Sequence, residues 1–146
     1  MPELPSATCV FCQIVAGAVP GSKVHEDEQV LAILDIHPVN PGHVLVLPKQ
    51  HFPSLNDLPE SIGAHLFTVA QQTATAIRRS GVRCEGIRFT LADGAAAGQD
   101  VFHLHLHVIP RFPGDAYRVV ADWSASPSRE ELDAVAHAIR LRHVRR

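Results

Sequence analysis

The sequence predicts an α+β fold: a mostly antiparallel sheet crossed by one long helix, with a second helix at the C-terminus. Three observations predict it. Two runs rich in Val, Ile and Leu, QVLAILD (29–35) and HVLVLP (43–48), flank the turn-forming IHPVNPG, so they read as an antiparallel strand pair. Residues 58–80 place apolar side chains at helical spacing. VFHLHLHVIP (101–110) alternates histidine with apolar residues at a period of two, the period of a strand.

Along the chain, residues 1–8 carry two prolines and no period and read as an arm. CVFCQIVAG (9–17) reads as a short helix stopped by Gly17, and the two apolar strands follow. Asn56 or Asp57 can cap the long helix, Pro59 and Glu60 suit its first turn, and Gly81 ends it. Its buried face is Ile62, Leu66, Val69 and Ile77, with Thr73 between them. IRFTLA (87–92) reads as a third strand, DGAAAGQD (93–100) as a loop of small residues, and 101–110 as a fourth strand stopped by Pro110. After the turn RFPGD, Ser128 and Glu131 form an S-x-x-E capping box that opens the last helix. Its buried face would be Leu132, Val135, Ala136 and Ile139. With no repeat or long linker, residues 1–146 read as one domain, with a core at about 9–112 and an extension at 113–146.

Hydrophobic residues make up 46% of the chain and charged residues 19%, the balance of a globular protein. A formal net charge of -2 and a pI near 6.5 argue against a broad grip on a nucleic acid polymer, though not against one nucleotide in a pocket. MPELPSATCV has neither the basic nor the apolar segment of a secretory signal, and no apolar run reaches the ~18 residues of a membrane span. The expectation is a cytoplasmic protein. Three cysteines without an export signal do not suggest disulfides. The C-x-x-C spacing of Cys9 and Cys12 leaves metal binding or redox chemistry open, and Cys84 reads as an ordinary packing residue.

On a strand, His103, His105 and His107 share one face, while Phe102, Leu104, Leu106 and Val108 face a core. A histidine-rich solvent face is the plain reading. A metal is a second, but a straight strand spreads the three over ~13 Å, and ligands at about 2 Å let one ion take two of them at most. The third reading is a row of imidazoles facing a phosphate, one as nucleophile and others as proton carriers. The loop before the strand favours it. Gly94 and Gly98 let backbone approach a ligand, exposed N–H groups can cradle phosphate, and Gln99 adds an amide.

HLHLHVI resembles the His-φ-His-φ-His-φ-φ signature (φ, hydrophobic) of the histidine triad family. AAGQDVFHLHLHVIPR, including Gly98, Gln99 and Arg111, LAILDIHPVNPGHVLVLPKQH and CVFCQIVAG are similar to the family's other characteristic segments, so the likeness spans roughly residues 9–112. It implies the HIT-like α+β fold, a homodimer whose sheets join, and hydrolysis or transfer at a nucleotide α-phosphate through a covalent nucleotidyl-histidine. By this resemblance His105 is the nucleophile, with its ring held by the His103 carbonyl. His107 contacts phosphate and leaving group, and His43 belongs to the network around them. Asp35 accepts from the ribose, Phe11, Ile14, Ile33 and Ile36 form an apolar slot for a purine, and Gly98, Gln99 and Asp100 flank the phosphates.

Two positions depart from the family pattern. Asp100 stands where a hydroxyl residue is usual, and Ala92 where an amide donor is usual; one lost donor can remove up to ~4 kcal/mol of transition-state stabilisation, unless a group such as Gln99 compensates. Resemblance also implies a structural zinc on Cys9, Cys12, His51 and His103. The leaving group could be an amine, as in nucleoside phosphoramidates, or a second nucleotide. The long tail after VIPR tilts the reading toward dinucleoside polyphosphates. The rival readings are a nucleotide-binding sensor with little turnover and a metal-dependent enzyme using His103 and His105.

Overall fold

Five strands form one antiparallel sheet: β1 (Lys23–Glu26), β2 (Val30–Leu34), β3 (Val44–Pro48), β4 (Gly86–Thr90) and β5 (Leu106–Arg111), in the order β1-β2-β3-β5-β4. Three helices complete it: α1 (Val10–Val15), α2 (Glu60–Arg79) and α3 (Arg129–Arg142). The structure is a computed structural model and describes residues 7–143; positions 1–6 of the sequence-predicted arm lie outside them. The chain divides into two compact units, Met1–Ala116 and Tyr117–Arg146.

In the first unit both faces of the sheet are covered, which is why β2 and β3 read as unbroken apolar runs. On one face Val30, Ala32, Val44, Val46 and Val108 pack with Leu66, Val69, Ala70 and Ile77 of α2. On the other, Leu31, Ile33, Leu45 and Leu47 pack with Phe11 and Ile14 of α1. The predicted helical face of α2 is the buried one, Thr73 included. Its start differs: Leu55–Asp57 forms a separate 3-10 turn and Pro59 is the N-cap, so neither Asn56 nor Asp57 caps the helix. α1 ends as predicted, with Gly17 at φ 79°.

β1 is a strand the sequence did not suggest. KVHE is short and polar, and its register against β2 shifts between Lys23 and His25. His25 and His65 both bond Asp27 Oδ2, at 2.8 and 2.7 Å, so these half-buried rings tie β1 to α2. Burial pushes the Asp27 carboxyl up, but bonds from His25, Gln29 N–H, His65 and Val30 N–H outweigh it and hold it below the usual carboxylate range.

The histidine segment also differs. The β5 ladder begins at Leu106, with Leu45 opposite His107 and Val46 opposite Leu106. Leu104 and Val108 are buried as the alternation predicts, but Phe102, upstream of the ladder, is 52% exposed. In the second unit, Ser128 and Glu131 form the predicted capping box. No residue of α3 is buried: Leu132, Val135 and Ile139 are exposed, because no element of its own unit covers that face.

Candidate active site

His105 Nδ1 lies 2.8 Å from the His103 carbonyl oxygen. A carbonyl only accepts, so Nδ1 carries the proton and Nε2 keeps its lone pair. The ring is buried, yet it lines a cavity of about 250 Å³ together with Phe11, Ile14, Ile33, Asp35 and His107. Phe11 meets it edge-on, with centroids 5.0 Å apart.

The next two histidines form a chain whose direction is fixed. Val39 N–H donates to His43 Nδ1 at 3.1 Å, so His43 carries its proton on Nε2. Nε2–H therefore donates to His107 Nδ1 at 2.9 Å, and His107 holds its own proton on Nε2. His107 thus offers a donor beside the His105 acceptor, with ring centroids 5.0 Å apart. Burial, reinforced by the neighbouring His105 and His43, pushes the His107 imidazolium pKa down to about 4, and burial lowers that of His43. Asp35 Oδ2 is 3.6 Å from His43 Nε2. A metal on Asp35, His43 and His107 is disfavoured, since the proton between the two rings occupies both nitrogens. The turn before β3 holds His43 in place: Gly42 has φ 93°, and a Cβ there would come within 2.9 Å of Val82.

His103 has a different job. It is fully buried, and its Nε2–H donates to the Pro48 carbonyl at 2.7 Å. Its Nδ1 lone pair faces Cys9 Sγ at 3.5 Å and Cys12 Sγ at 3.6 Å, while His51 Nδ1 is 3.4 Å from Cys12 Sγ. A tetrahedral zinc with ligands at 2.0–2.3 Å puts neighbouring ligand atoms ~3.3–3.8 Å apart, so the four residues fit that ion. Burial pushes the His103 imidazolium pKa down to about 4, which keeps the lone pair available. The three histidines therefore do not stand as one row: His103 meets the thiol cluster by its side chain and His105 by its backbone.

The small-residue loop corrects another expectation. Gly98 N–H bonds Ala95 O and Gln99 N–H bonds Gly94 O. The Gln99 amide accepts from Gly94 N–H and donates to Pro53 O and Val101 O. Gly98 and Gln99 thus close the loop on itself; their donors do not face the cavity, and the Gln99 amide cannot replace a donor missing at Ala92. Gly98 takes the left-handed φ of 91° that the turn requires. Asp100 does line the cavity, with Oδ1 on Val101 N–H at 2.9 Å and 3.8 Å from His105 Nε2. Ile36 lies at the mouth, 87% exposed. Sequence reasoning missed Val19, Gly21, His37 and Leu45 as wall residues. Val19 and Gly21 sit in a segment without period, and Leu45 reads only as strand core.

No helix of the described residues is long and apolar enough to cross a membrane. Among solved structures, a HIT family protein from Bacillus subtilis superposes with a TM-score of 0.86 at 36% identity, covering 95% of this chain and 99% of that one. A zinc-bound histidine triad family protein from Mycobacterium smegmatis gives 0.73 at 41% identity, over 93% and 98%. The adenylylsulfatase HINT3 of Arabidopsis thaliana is 40% identical over 103 residues, 70% of this chain and 52% of that protein. The HIT domain model matches residues 16–114, and on that match and these likenesses the chain belongs to the histidine triad family.

Proposed function

We propose that this chain hydrolyses or transfers nucleotides at the α-phosphate, with His105 Nε2 as the nucleophile. The observation that carries this is the fixed tautomer of His105: Nδ1–H is held by the His103 carbonyl, and the Nε2 lone pair is left at the cavity. A purine stacks among Phe11, Ile14, Ile33 and Ile36, and Asp35 accepts from the ribose hydroxyls. The Nε2–P bond forms as the bond to the leaving group breaks. The leaving group takes the electron pair, is steadied by His107 Nε2–H, and gains a proton from solvent. The imidazolium charge developing on His105 is held by the His103 carbonyl. Water then attacks phosphorus, the P–Nε2 bond breaks, the electron pair returns to His105, and the water proton leaves to solvent.

Phosphoramidates and dinucleoside polyphosphates both suit this scheme, and the likeness to a protein named an adenylylsulfatase supports hydrolysis of adenylyl-linked substrates. Cys9, Cys12, His51 and His103 would hold zinc as a structural ion, whose contribution is to tie α1 to the segments carrying His51 and His103. We place the protein as a homodimer, on the family resemblance and the exposed apolar face of α3. A sensor with little turnover is favoured by one observation, the loop whose donors are turned inward. Rapid quench with an α-³²P-labelled nucleotide substrate decides between the two. The enzyme reading expects acid-labile label on the protein, lost together with turnover in His105→Asn while nucleotide still binds. Binding without label or turnover in the parent protein supports the sensor.

A further inference from the structure

A second cavity, about 390 Å³, opens beside the first. The two share Val10, Asp100 and Val101; the second adds Thr8, His51 and the exposed ring of Phe102. Asp100 therefore stands at their boundary, its side chain 84% exposed and its Oδ1 3.8 Å from His105 Nε2. Among the described residues, neither cavity is lined by a lysine or an arginine, while Asp35 and Asp100 line the first and Asp100 the second. Zinc would not change this sign, because two thiolates cancel its double charge.

A site with this lining is poorly matched to a polyanion. Nothing cationic on its walls offsets an extended phosphate chain, and the Asp100 carboxylate opposes one on the side away from the nucleoside. An ammonium there would meet a carboxylate and an aromatic face together. It would also offset the α-phosphate charge that the neutral His43–His107 pair leaves in place. We propose that the second cavity is the leaving-group subsite and that Asp100 selects by charge, favouring departing groups that carry an ammonium over anionic ones. This rests on the reading that His105 attacks the α-phosphate; Asp100 and Val101 line both cavities, so a departing group whose first atom meets His107 can extend past Asp100 into the second. It runs against the tilt toward dinucleoside polyphosphates that the tail of the sequence suggests.

The test is a binding series that does not depend on turnover. Three adenosine 5′-phosphoramidates with the same P–N bond and four-carbon stem, ending in an ammonium, a methyl or a carboxylate, are titrated calorimetrically into zinc-loaded His105→Asn protein. The expected order of affinity is ammonium, methyl, carboxylate, with about tenfold between the extremes at low ionic strength, the scale of one attractive and one repulsive contact with an exposed charge. The ratio should shrink at high ionic strength. Asp100→Asn, which keeps an oxygen acceptor for Val101 N–H, should bring the ratio near one. Asp35→Asn should weaken all three probes and leave the ratio in place. Extremes within twofold of each other in the parent series, or a ratio unmoved by Asp100→Asn, would overturn the proposal. Absence of a labelled histidine in the quench experiment would overturn the enzymatic reading alone, with the charge ratio still measured.

Discussion

At the scale of single residues, three alternating histidines meet three separate sets of partners. His105 is the nucleophile in the proposed mechanism, and its side chain is turned toward the cavity while Leu104 and Val108 fill the core. His105→Asn or His105→Ala should therefore lower kcat/KM by at least ~10³-fold with an unchanged unfolding transition; residual wild-type turnover in steady-state assays would refute the assignment. His107 makes a pH prediction. Its folded pKa of about 4 lies below the ~6.5 of an unfolded histidine, so the unfolded chain binds more protons between these values. Its contribution to stability is complete above pH 6.5 and is lost as pH falls toward 4. Denaturant titrations at pH 7.5 and pH 5 should show the parent protein losing about 1–2 kcal/mol more than His107→Asn over that interval. The place of the candidate site was legible because alternation and a small-residue loop sit next to each other in the chain, and the resemblance to the family singled out His105 within it. The separate position of His103 was not, because the segment leaves the β ladder before Leu106, and nothing in H-x-H-x-H marks where a ladder stops.

At the scale of elements, α1 is six residues long and holds two kinds of wall. Cys9 caps it and Cys12 lies within it, facing His51 and His103; Phe11 and Ile14 line the cavity that holds the His105 ring. A helix this short has little stability of its own. Removing zinc with a chelator, or Cys9→Ser, should lower stability by about 3 kcal/mol at metal concentrations near a hundredfold above Kd. It should also weaken AMP binding, because the same turn carries the base slot; calorimetry and metal analysis on one sample check both. Unchanged stability in metal-free protein would count against the ion. The loop 93–101 makes a second prediction. Gln99→Ala removes three hydrogen bonds from a buried amide and should cost about 2–3 kcal/mol in thermal or denaturant unfolding. The sequence marked this loop as a place where backbone comes close to a ligand. It could not show that the N–H groups of Gly98 and Gln99 face inward, since that depends on Gly94, Pro53 and Val101 meeting in space. β1 escaped notice for a related reason: four polar-leaning residues become a strand only because β2 offers them an edge.

At the scale of the whole chain, the sheet order β1-β2-β3-β5-β4 puts the His105 segment next to the central strands, and both helical layers follow from patterns visible in the sequence. What was misread is the last helix. Its capping box and period were correct, yet Leu132, Val135 and Ile139 are exposed at 43%, 59% and 62%. Periodicity reports an apolar face and does not say which molecule covers it. With a homodimer, these residues are the natural contact, and sedimentation analysis of the parent protein should give twice the chain mass. Ile139→Glu should shift the distribution toward monomer, with α3 itself retained in circular dichroism. A parent protein that sediments as a monomer would remove the dimer from the account.

The double attachment of His103 has a consequence for how the protein can change. The proposed mechanism uses only its main-chain oxygen, which every amino acid possesses, whereas the thiol cluster uses only its ring. The four ligand side chains therefore form a module that can be exchanged as a set without altering the reacting atoms. A lineage, or a designer, could replace Cys9, Cys12, His51 and His103 with a well-packed apolar quartet and keep the nucleophile's proton on Nδ1. Losing the ligands one at a time is the harder route, since each single loss leaves an incomplete tetrahedral set behind.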